Sequence, residues 1–236
     1  MKFEDKEEAR DHVWDRLSEE KAARFPFVPR RRIPNFSGAE EAAERLGEHR
    51  LFKEAKVLKI NPDSPQRPLR EMALRRGKTV VVPTPRLTDG FLLFRPSEIG
   101  EEHYRDASMI SRWDEWAEKI ALEELPSVDL IITGCVAVTP KGKRVGKGHG
   151  YSDLEYAILG ELGHEAAPVA TTVHDIQVID DVGVGAHDVQ VELVATPTRL
   201  WHREGPSDGG GVIDWDLLSD EDLEKMPVLR RLKERS

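Results

Sequence analysis

Residues 141–153 read KGKRVGKGHGYSD, four glycines and four cationic side chains closed by an aspartate. These residue types at this spacing fit an anion cradle. Glycine reaches backbone conformations that turn successive N–H groups inward on a phosphate-sized anion. Arg144 and Lys147 would supply neutralising charge, and Asp153 carries a carboxylate suited to a divalent cation beside it. A helical pattern begins at Tyr151, so the positive end of that helix would face the same anion. Two familiar phosphate loops do not match. Gly148 follows the Gly-Lys pair where a Walker loop needs Ser or Thr, and GxGxG lacks the spacing of the dinucleotide fingerprint. The plain alternative is a flexible glycine turn with solvated cations.

The elements that must position this loop follow from periodicity. Ala9, Val13, Trp14 and Leu17 recur at helix spacing within residues 4–24. Prolines 26, 29 and 34 stop that helix, and Phe25, Phe27, Val28, Ile33 and Phe36 make the next stretch an ordered wrap. Helices are predicted over 39–47, 68–76, 113–124 and 151–162, and strands over 56–60, from Thr79, over 129–139, and in VATTVH and DVQVELVATP. Ser219 should cap a last helix kinked at Pro227. Continuous apolar runs such as DLIITGCVAVT suit strands covered on both faces. The expectation is one α/β domain spanning 1–236, a three-layer sandwich with a mostly parallel sheet. PTPRL at 83–87 and TPTRL at 196–200 read as a chance match; if real, it places Arg86 and Arg199 at strand carboxyl ends, where open α/β sheets keep ligands.

Composition narrows the class. Of 236 residues, 39% are hydrophobic and 33% charged, and the net charge of −9 argues against coating a nucleic acid. Arg30–Arg32 form the best polyanion contact, yet in an acidic chain they read as a solvated turn. The single Cys135 excludes an internal disulfide or a thiolate metal cluster, and it reads as a buried structural thiol. The pairs His174-Asp175 and His187-Asp188 lack metal-ligand spacing. Trp113 and Trp116 read as packing. No stretch has the length and apolarity of a membrane span, and the charged start is not a signal peptide, so a cytoplasmic protein with a small-molecule substrate is expected.

The motif R-x-G-x-G-x-G-Y-x-D at 144–153 resembles the glycine-rich nucleotide loop of the 5-formyltetrahydrofolate cyclo-ligase family, also called methenyltetrahydrofolate synthetase. Lys6-Glu-Glu-Ala-Arg10 is similar to the family's K-x-x-L-R, Thr172–Gln177 to its strand ending in glutamine, and His187-Asp188 to its H-D segment. RIPNF, VPTPRL, GKGHGYSDLEYA and TPTRL look closer still to the methenyltetrahydrofolate synthetase domain-containing branch. The resemblance implies a NagB/RpiA/CoA-transferase-like fold and ATP- and Mg²⁺-dependent closure of 5-formyltetrahydrofolate to 5,10-methenyltetrahydrofolate. It implies that Lys6, Arg10, Arg144, Gly146, Lys147, Gly148, His149, Gly150, Tyr151 and Asp153 bind nucleotide. Arg144 and Lys147 would stabilise transferred charge, and Asp153 would hold the metal. The alternative is an accessory nucleotide-binding protein without folate turnover. Ser152 and Leu154 depart from the ligases, which carry a second tyrosine and a basic residue there, and NPDSPQRPLREM stands where ligases place E-x-D-T near the folate.

Overall fold

The computed structural model describes residues 1–27, 30–88, 90–148, 150–185, 188–203 and 213–234. Five helices and eight strands carry the architecture discussed below. They are α1 (Lys6–Glu19), α2 (Ala39–Gly47), β1 (Val57–Ile60), α3 (Arg67–Arg75), β2 (Thr79–Pro83), β3 (Phe91–Phe94) and β4 (Glu118–Ile120). After these come β5 (Leu130–Ile132), α4 (Tyr151–Glu161), β6 (Val169–Thr172), β7 (Leu193–Ala195), β8 (Leu200–His202) and α5 (Pro227–Lys233).

The strands form one sheet in the order β8-β7-β6-β5-β1-β2-β3-β4. From β7 to β2 all neighbours are parallel, and β8, β3 and β4 add antiparallel pairs at the two edges. Alternation along each strand sorts side chains between two cores. Val80 and Val82 join Leu46, Leu69 and Leu74 of α2 and α3, whereas Val81 joins Ile158 of α4 and Leu229 of α5. Helices therefore cover both faces, as the three-layer expectation requires.

A third core lies beside the sheet. Ala9, Val13, Trp14 and Leu17 of α1 pack there with Val136, Ala137 and Val145. Each buried Val, Leu or Trp contributes roughly 1.5–3 kcal/mol by leaving water.

Local departures from the expected elements have physical causes. Residues 113–124 do not form one helix: Trp113–Trp116 is one turn, Glu118–Ile120 is β4, and Leu122–Glu124 is a 3-10 turn. Pairing of β4 with β3 outweighs the helical preference of its Glu and Lys residues. Phe91–Phe94, an apolar strand absent from the expected set, supplies that edge. The strand expected over 129–139 ends at Ile132, and Ala137–Val138 instead forms a small hairpin with Arg144–Val145. The terminal helix divides at Met226 into Asp220–Lys225 and α5, with Pro227 at the first position of α5.

The two threonine-proline-arginine stretches both sit at strand-to-strand turns, but the turns differ in length. Thr84 N donates to Gly90 O at 2.9 Å and Thr196 N to Arg199 O at 2.8 Å. Each carries a parallel strand, β2 or β7, round to an antiparallel neighbour, β3 or β8.

Candidate functional site

The glycine loop leaves the 137–145 hairpin and enters α4 at Gly150. Gly148 and Gly150 have φ of +102° and +69°, a region that glycine enters without strain. Gly150 caps α4 without a side-chain hydrogen bond, and the positive end of the helix lies at the loop.

Arg144 fixes the loop's geometry. Its Nε donates to Val189 O at 3.0 Å and its Nη2 to Asp153 Oδ1, which also accepts from Val189 N at 3.0 Å. Burial alone would pull the guanidinium down, and the Asp153 carboxylate together with Cys135 and Asp188 more than reverses this. Arg144 thus holds Asp153 in place. Arg10 Nε donates to Gly146 O at 2.9 Å, and its guanidinium carbon lies 3.6 Å from where a Gly148 side chain would begin. Lys6, one turn earlier on α1, reaches both Asp188 oxygens at 2.5 and 2.6 Å. Both cations anchor segments bordering the loop. His149 and His187 lie outside the described residues.

A cavity of about 630 Å³ opens beside the loop at the carboxyl ends of β1 and β5. Here the strand order reverses, the position at which open α/β sheets bind ligands. Arg144, Gly146, Lys147, Gly150, Tyr151 and Asp153 line it; Lys6, Arg10 and Gly148 do not. Lys147 Nζ lies 3.6 Å from Asp63 Oδ1 across the cavity.

The floor contains charges that sequence reasoning missed. Lys59, with a side chain 1% exposed, donates to Glu155 Oε2 and to Asn61 Oδ1 at 2.5 Å, and Asn61 Nδ2 donates to Ser152 Oγ at 3.1 Å. Burial pushes the Glu155 carboxyl up, with Lys59 opposing. The signal was present in KVLKI: a lysine inside a buried apolar strand demands a partner. Arg70 is also buried. It donates to Asn61 O at 2.5 Å, Asp63 O at 3.2 Å and Ser108 O at 3.0 Å, and lies 5.9 Å over Trp113. Burial pulls it down to about 9, so it stays charged at neutral pH while shaping the turn after β1.

Arg30–Arg32 form the exposed turn expected of them, and its position adds something to that reading. All three line the cavity mouth, and Arg30 is clasped to α1 by Asp11 at 2.8 Å and Asp15 at 2.6 Å. The other sequence candidates serve structure. His174 Nδ1 accepts from Ile176 N at 3.1 Å, and Asp175 Oδ1 accepts from Thr196 Oγ1 at 2.7 Å. Burial raises the Cys135 thiol, and Gln177 Nε2 donates to Cys135 O at 3.0 Å. Trp116 stacks on His103 at 4.5 Å.

Residues 2–197 match the model of the 5-formyltetrahydrofolate cyclo-ligase family. The chain belongs to that family. Among curated relatives of this cyclo-ligase family chain, the mouse methenyltetrahydrofolate synthase domain-containing protein is 39% identical over 236 residues, covering 98% of this chain and 63% of its own length. The cattle protein of that name is 39% identical, with 97% of this chain and 62% of its length covered. The chain therefore spans a little under two thirds of these relatives. The 5-formyltetrahydrofolate cyclo-ligase of Escherichia coli K12 is 26% identical over 151 residues, 62% of this chain and 79% of that protein. The NMR structure of Aquifex aeolicus 5,10-methenyltetrahydrofolate synthetase superposes with a TM-score of 0.54 at 22% identity, covering 86% of this chain and 95% of that one. That likeness establishes a shared fold. Among the described residues, no helix is long and apolar enough to cross a membrane.

Proposed function

We propose that the cavity is the active site of an ATP- and Mg²⁺-dependent ligase that closes 5-formyltetrahydrofolate to 5,10-methenyltetrahydrofolate, releasing ADP and phosphate. The observation that carries this reading is the glycine loop. In a cyclo-ligase family chain, it brings Lys147, Asp153 and the open amino end of α4 to the sheet's switch point. ATP would supply the phosphoryl group that activates the formyl oxygen.

The residues fit the nucleotide and ion. The loop glycines and first α4 amides offer donors to phosphate oxygens, and Lys147 offers charge at the cavity wall. Asp153 Oδ1 is occupied by Arg144 and Val189, while Oδ2 meets no donor among the described residues. A single carboxylate oxygen suits Mg²⁺, which keeps water and phosphate ligands. Arg144 acts as the positioning residue for that oxygen. Lys6 and Arg10 hold the loop and its neighbour, leaving Asn61, Ser152 and Glu155 to face the substrate.

One observation favours the second reading, a nucleotide-binding accessory protein. Ser152, which stands where the ligases carry tyrosine, is tied to Asn61 and offers no ring for stacking. The deciding assay follows ATP consumption and 5,10-methenyltetrahydrofolate absorbance together, with Lys147→Ala and Asp153→Ala alongside. Product that both variants abolish supports the ligase; ATP binding without product supports the accessory role.

A further inference from the structure

Among the described residues, four large hydrophobic side chains stand exposed, and two of them share one loop. Phe25 is 76% exposed and Phe27 67%, their rings meeting edge to face at 6.4 Å. Pro26 between them lines the cavity mouth, and so does a third exposed side chain, Ile110. Single exposed apolar residues are ordinary, whereas rings clustered in water mark a surface that something covers.

The charges around the rings indicate what covers them. Residues 24–32 include four arginines and no lysine, and aromatic rings with arginine are the composition of protein–protein contacts, from which lysine is depleted. Beside this loop, Glu8, Asp11, Asp15 and Glu19 recur at helix spacing along one exposed face of α1. Arg30 joins the two stripes within the monomer by holding Asp11 and Asp15. Arg31 and Arg32 on one side, and Glu8 and Glu19 on the other, are exposed and have no ion-pair partner among the described residues. An anionic membrane or a nucleic acid would satisfy the arginines but meet the acidic stripe and a net charge of −9. A second copy of the chain satisfies both stripes.

We propose that two copies of the chain associate through this face about a twofold axis. Phe25 and Phe27 of each copy pack at the centre, and Arg31 and Arg32 of one copy face the partner's Glu8 and the partner's Glu19. Because the basic and acidic stripes lie side by side, one twofold rotation lays each over its opposite. The contact is therefore self-complementary and closes as a dimer instead of growing into a filament. The association does not depend on what the cavity binds.

Sedimentation equilibrium of the full chain tests this. The wild type should be a dimer at about 100 μM, above the weakest Kd of a standard-size interface. Phe25→Ser/Phe27→Ser should weaken association about a hundredfold, since the symmetry removes four rings from one contact. Arg31→Glu/Arg32→Glu and, separately, Glu8→Arg/Glu19→Arg should each weaken it about tenfold, an effect that high salt diminishes. All four charge changes together should restore the wild-type Kd, because opposite charges meet again across the axis. Should a charge reversal unfold the chain, Arg31→Ala/Arg32→Ala takes its place with a loss of the same sign. A wild type that is monomeric at that concentration overturns the proposal, as does a dimer whose Kd the phenylalanine pair leaves unchanged. A combined charge swap that folds but does not restore association overturns it too. A monomeric wild type that binds phosphatidylserine vesicles or a single-stranded oligonucleotide would assign the face to that ligand instead.

Discussion

Two ion pairs join the 137–145 hairpin and strand β1 to α4 at positions two residues apart, and they differ in what they do. Arg144–Asp153 borders the glycine loop, with side chains 4% and 28% exposed; Lys59–Glu155 lies in the floor, at 1% and 6%. Asp153 also accepts from Val189 N and keeps one oxygen at the open cavity. Glu155 spends one oxygen on a lysine that water does not reach. The partly open pair can therefore act on a ligand while its buried cation holds it still. The closed pair shapes the floor, and its cost of desolvation is met only while both members remain.

The sharpest way to break this comparison is to separate the floor pair. Glu155→Leu alone leaves an uncompensated lysine and should lose about 3–5 kcal/mol of stability in urea unfolding. Lys59→Met/Glu155→Leu should recover most of it, because a hydrophobic pair of similar volume replaces a buried ion pair at little cost. A double variant whose loss equals the sum of the Lys59→Met and Glu155→Leu losses would mean that the coupling is absent.

A second effect should fall on activity rather than stability. Asp153→Asn keeps the shape of the side chain but removes its charge, and methenyl formation should drop about a hundredfold, with unfolding shifted far less than in Glu155→Leu. A variant with normal turnover and a large stability loss would make the two pairs alike. Lys147→Ala sharpens the contrast further. Its contact with Asp63 is long and partly exposed, so stability should stay within about 0.5 kcal/mol. Affinity for ATP should fall roughly tenfold.

The smallest effect lies outside both pairs. Burial holds His174 below its ordinary value of 6.5, and its neutral Nδ1 caps Ile176. The unfolded chain takes up this proton first as pH falls, so the stability contributed above 6.5 is lost below it. His174→Asn, which keeps a capping acceptor, should flatten the slope of stability against pH between 7 and 5; an unchanged slope would remove His174 from the account.

The same contrast explains what could be read in advance. Arg144 and Asp153 are nine residues apart, within one motif, whereas Lys59 and Glu155 are 96 apart. Local spacing could flag the first pair. The second left only a lysine in an apolar strand, with no indication of which carboxylate would meet it. The helix expected over 113–124 went astray for a related reason: the decision belonged to β3, a partner strand distant from that helical pattern.

The sequence by itself determined the alternation of strands and helices, the amphipathic α1, the glycine positions at 148 and 150, and the cationic loop entering α4. These are local properties, set by side-chain period, backbone freedom and charge within a few residues. Tertiary structure alone decided that Arg144 is a buried clamp, that Arg30–Arg32 stand at the cavity mouth, and that Lys59 meets Glu155 beneath it. Each depends on strands β1 and β5 lying side by side, and their adjacency is fixed by how the whole sheet buries both of its faces.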